Sequence, residues 1–79
     1  MITGGQIRAA RAVLRLSVAE LAERAQVGVQ TVKRFELADG LPPSRTATLA
    51  SVQSALEAAG IEFIGTPDDG PGIRLRAKT

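Results

Sequence analysis

Cysteine, histidine, tryptophan and tyrosine are all absent from this chain of 79 residues. Without cysteine there is no disulfide framework and no thiolate metal site. Without histidine the commonest general base and the commonest transition-metal ligand are missing. Phenylalanine occurs only at Phe35 and Phe63, so the chain has no aromatic platform for stacking bases. No apolar run approaches the roughly 20 residues needed to span a bilayer. The opening "MITGGQIRAARAVL" lacks a basic segment followed by an unbroken apolar core, so no signal peptide is expected and the chain is expected to be cytoplasmic. These absences, together with the lack of a glycine-rich phosphate loop, predict a protein that is not an enzyme and carries no cofactor or metal.

What is present is unevenly distributed charge. Up to residue 34, six cations face two carboxylates, a balance of +4. After residue 34, four cations face six carboxylates, a balance of −2, which recovers the overall +2. A basic front half suits a polyanionic partner.

Helix signals fill the same half. Thr3 followed by Gln6 reads as a capping box opening a first helix, with Ile7, Ala10, Val13 and Leu14 on its inner stripe. Arg8 and Arg11 are expected on the solvated face of that helix. Ser17 followed by Glu20 is a second capping box, opening a helix that turns Leu21, Ala22 and Ala25 inward. Gly28 then starts "VQTVKRFE", a short third helix in which Val32 and Phe35 share one face and Gln30, Lys33 and Arg34 share the other. Two helices joined by so short a glycine-containing turn make a helix-turn-helix. "ADGLPPS" reads as a loop, and "RTATLASVQSALEAAG" as a fourth helix with Leu49, Val52, Leu56 and Ala59 inside and Gly60 at its end. The tail alternates in "IEFI" and "IRLR", around the turn-rich "GTPDDGPG". That predicts a β-hairpin with a long loop. Asp68 and Asp69 give too few ligands for a cation and are expected to be solvated there.

The segment "LSVAELAERAQVGVQTVKRFE", residues 16 to 36, resembles the helix-turn-helix of the XRE/Cro-like (lambda-repressor-like) family of bacterial and phage regulators. The matching residues are Ser17, Leu21, Ala22, Val27, Thr31, Val32 and Glu36. Two positions depart from the family pattern: Val18 stands where a phosphate-binding glutamine is usual, and Gly28 where a capping serine is usual.

The resemblance implies a mainly α fold, a four-helix lambda-repressor-like domain over residues 1–60 followed by a C-terminal β-hairpin over residues 61–79. It also implies sequence-specific binding of double-stranded DNA by a transcriptional regulator. By position in the motif, Val29, Gln30 and Arg34 would face base edges, and Ser17, Thr31, Lys33 and Arg45 the DNA backbone. Arg34 can pair with a guanine, Gln30 with an adenine edge, and Val29 with a thymine methyl.

A lone hairpin is marginal in water. Joining two of them into a four-stranded sheet would make a homodimer, with Phe63, Ile64, Ile73 and Leu75 at its interface; the alternative is a hairpin folded back on its own helices in a chain that binds DNA as a monomer. Two other readings remain at this stage: an antitoxin-type regulator that also holds a partner protein, and an interaction module that uses the same fold without DNA.

Overall fold

The computed structural model describes residues 2–38 and 46–76. Four helices precede an antiparallel hairpin: α1 (Gly4–Leu14), α2 (Val18–Ala25), α3 (Val29–Leu37), α4 (Thr46–Ala58), β1 (Ile61–Thr66) and β2 (Asp69–Leu75).

Each early boundary follows from local chemistry. Thr3 caps α1: its hydroxyl accepts the Gln6 N–H at 3.1 Å, and the Gln6 amide oxygen accepts the Thr3 N–H at 2.8 Å. Ser17 and Glu20 repeat the arrangement at α2, with distances of 3.0 and 2.8 Å. Both helices end on a left-handed residue, Arg15 and Gln26, each at φ 58°. Only the three residues Gln26 to Gly28 then separate α2 from α3.

The inward faces converge on one core. Its largest fully buried side chains are Phe35, Ile7, Leu21, Leu49 and Leu56. α2 packs on α3 and α4, and α1 packs on α3. The inner stripe of α1 is narrower than the sequence suggests, because Val13 is 44 % exposed. It lies six residues after Ile7, which at 3.6 residues per turn carries it about a third of a turn away. Gln6 is buried in that helix instead.

Gly4 fits where it does because it has no side chain. A Cβ there would overlap the carbonyl oxygens of Phe35 and Ala38 at the end of α3.

The hairpin shares this core. Ile61 belongs to it, and Phe63 and Ile73 are half-buried against it. Glu62 and Arg74 pair across the strands on the outer face, 3.5 Å apart. The expected long loop is much shorter in the structure: the strands run on to Thr66 and Asp69, and only Pro67 and Asp68 make the reversal. A register shift between Ile64 and Thr66 allows this. Gly65 sits there at φ 76°, and a side chain on it would meet the Gly70 carbonyl.

At that irregularity the Gln6 amide nitrogen donates to both strands, to the Ile64 carbonyl at 3.2 Å and the Gly72 carbonyl at 2.8 Å. One side chain therefore caps a helix with its oxygen and fastens the hairpin with its nitrogen. Gln6→Glu keeps the capping acceptor but turns a carboxylate toward two carbonyls. It should lower the unfolding free energy by about 1–3 kcal/mol in urea titration. Glu20→Gln keeps the exposed second box and should stay within about 0.5 kcal/mol of the parent.

Candidate nucleic-acid interface

Two apolar anchors orient α3. Val32 and Phe35, three residues apart, enter the core and force the opposite face outward. Val29, Gln30, Lys33 and Arg34 are exposed on that face, and Thr31 is half-buried at its margin. Four-residue spacing aligns Val29, Lys33 and Leu37 in one row and Gln30 with Arg34 in the next. Leu37 extends its row as an apolar end, 81 % exposed, which the sequence reading did not single out. Neither Lys33 nor Arg34 makes a hydrogen bond or ion pair with another described side chain.

The far end of α3 is fixed by α1. Arg11 forms a two-pronged ion pair with Glu36, Nε to Oε2 at 2.8 Å and Nη2 to Oε1 at 3.0 Å. Its third nitrogen, Nη1, donates to the Leu16 carbonyl at 3.1 Å. The pair is largely withdrawn from water, with side-chain exposures of 26 % for Arg11 and 9 % for Glu36. Hydrogen bonding to Glu36 holds the Arg11 guanidinium above its ordinary pKa; burial opposes that shift, and the carboxylate charge adds to it. Arg8 donates to the Glu36 backbone carbonyl, one of the carbonyls left open at the end of α3.

Arg11 is therefore not on a solvated face, in contrast to the sequence expectation. No local spacing rule links residues 25 positions apart, so the pair became visible only in three dimensions.

Arg11 and Glu36 withdraw together, so the pair leaves the net surface charge of the first three helices unchanged. Through Ala38 the exposed charges are Arg8, Arg15, Arg24, Lys33 and Arg34 against Glu20 and Glu23, five cations to two carboxylates, or +3.

At the start of α2, Ser17 is exposed. Its hydroxyl oxygen accepts from the Glu20 N–H. The Glu20 carboxyl is lowered by its hydrogen bonds to the Ser17 backbone and side chain, so it remains an anion beside that hydroxyl. Val18 is half-buried and packs against the core, so its departure from the family pattern is used in packing. Gly28 caps α3 without a side-chain bond.

Arg45 lies outside the described residues. Of the four hairpin residues expected at an interface, Phe63 and Ile73 pack on the chain's own core, whereas Ile64 and Leu75 are exposed. No family model and no curated protein matches the chain. Among the described residues no helix is long and apolar enough to cross a membrane.

Removing one partner of the buried pair leaves the other charge stranded. Glu36→Ala should cost about 3 kcal/mol, the low end for such pairs because Arg11 is partly hydrated. The double replacement Arg11→Met with Glu36→Leu should recover much of that loss in the same chemical melts. At the other end of α3, a Cβ on Gly28 would fit without a clash, meeting the Thr31 Oγ1 in ordinary contact at 3.8 Å. Gly28→Ser should therefore raise stability by about 0.5–1 kcal/mol, read as a higher melting temperature, by adding a cap and stiffening the unfolded chain.

Proposed function

We propose that the chain binds double-stranded DNA sequence-specifically, with α2 and α3 as a helix-turn-helix in a four-helix lambda-repressor-like fold, and acts as a cytoplasmic transcriptional regulator. The observation that carries this reading is the outward face of α3, where Val29, Gln30, Lys33 and Arg34 stand exposed on a helix anchored from behind. The major groove admits an α-helix, and residues near the start of that helix read base edges. Gln30 and Arg34 present an amide and a guanidinium one turn apart, groups that pair in two-pronged fashion with adenine and guanine edges. Val29 offers its methyl groups to a thymine methyl. Lys33, Thr31 and Ser17 supply donors for phosphate oxygens, which set register without specifying sequence. The +3 balance of exposed charge on the first three helices favours the same partner.

A homodimer suits a pseudo-palindromic site with half-sites about one helical turn apart. Its support is the exposed side chains of Ile64 and Leu75 on a sheet of two strands.

The two cations of α3 separate under mutation. Arg34→Ala should cost about 1–3 kcal/mol on a site selected from random fragments and relax preference at one base pair per half-site. Lys33→Ala should weaken binding evenly across sequences and flatten the slope of log affinity against log salt by about one. Equal losses on every sequence for both variants would defeat the division of roles. Binding that ignores salt would defeat the DNA reading itself.

A further inference from the structure

We infer that Arg15 contacts a DNA phosphate and positions the start of α2 on the duplex, supplying the donor that Val18 lacks. The inference rests on the DNA reading above.

Arg15 ends α1 at φ 58° and ψ 37°, a left-handed conformation that costs any residue with a Cβ free energy that glycine would not spend. Its backbone N–H closes the helix on the Ala12 and Arg11 carbonyls, a role glycine performs equally well. The cap therefore does not explain the side chain. That side chain is exposed and makes no hydrogen bond or ion pair with another described residue. It is Arg11, not Arg15, that reaches the Leu16 carbonyl at the same junction.

The first helix of a helix-turn-helix crosses the DNA backbone. What α2 offers at its start is unbalanced for that task. Ser17 is already engaged with Glu20 through its backbone and its hydroxyl, Val18 is apolar and turned to the core, and Glu20 is an exposed carboxylate. A phosphate arriving there would meet a like charge. Arg15, two residues before the cap, is the exposed cation of the α1–α2 junction, since Arg11 is bound to Glu36. Its guanidinium would give a phosphate a planar, charged donor pair.

The test uses the full chain on two probes, a selected site and a random-sequence duplex, with affinity measured across salt concentration and thermal stability measured in parallel. Arg15→Gln should weaken binding to both duplexes alike, roughly ten-fold at low salt. It should also flatten the salt slope by about one. Arg15→Lys should keep most of the affinity. Arg15→Gly should bind as poorly as Arg15→Gln while melting at a higher temperature, so that stability and binding move in opposite directions. A merely structural side chain would not produce that split.

Parental affinity and slope in Arg15→Gln overturn the inference, and they leave the DNA reading standing if the parent chain binds with salt dependence and Arg34→Ala still relaxes sequence preference. A parent chain that does not bind either duplex overturns both.

Discussion

The Arg11–Glu36 ion pair is the constraint on which the arrangement of the first three helices depends. A guanidinium is planar and its donors are fixed relative to one another, so a two-pronged contact sets orientation as well as distance. Here one prong pair holds Glu36 on α3, while the remaining nitrogen holds the Leu16 carbonyl in the link to α2. A single side chain of α1 thus ties both partners of the α2–turn–α3 unit. Arg8 at the Glu36 carbonyl and Gly4 against the Phe35 and Ala38 carbonyls bring the same helix to the end of α3 at two further points.

The attachments that reach α3 all fall at its C-terminal end. Its N-terminal half is held by Val32 below and by a bare glycine cap, and is otherwise free to meet a partner. Side chains that recognise a surface work best on a rigid element whose support comes from behind. The placement also explains why so small a domain spends a buried charge. Val32 and Phe35 already set which face of the helix turns outward, and the two-pronged pair adds a fixed direction at its far end.

Much of this was legible in the residues. Thr3/Gln6 and Ser17/Glu20 declare their helices because a capping box is a local, stereotyped exchange of hydrogen bonds. Val32 and Phe35 gave the facing of α3 because helical period is local too. Interactions between distant positions were not legible. Arg11 reads as a surface cation until Glu36 is placed beside it, and Gln6 reads as a cap until two strands arrive. The hairpin loop was overestimated because glycine and proline mark both loops and bulges. Gly65 and Gly70 accommodate a register shift here, and the ladder continues past it. Val13 follows Ala10 at the spacing of an inner stripe, yet its angle to Ile7 turns it toward solvent.

The double duty of Gln6 has a consequence for how the chain can be made. Its amide joins residue 6 to residues 64 and 72, so the start of α1 is completed by backbone synthesised well after it. Contacts of such sequence separation form late, since the chain between them must first be closed. During synthesis α1 and α2 can acquire their caps early, but the amide nitrogen waits, undirected, for the second strand. The hairpin therefore closes the domain from its far side, and strand β2 acts as the latch that converts a set of capped helices into one cooperative unit.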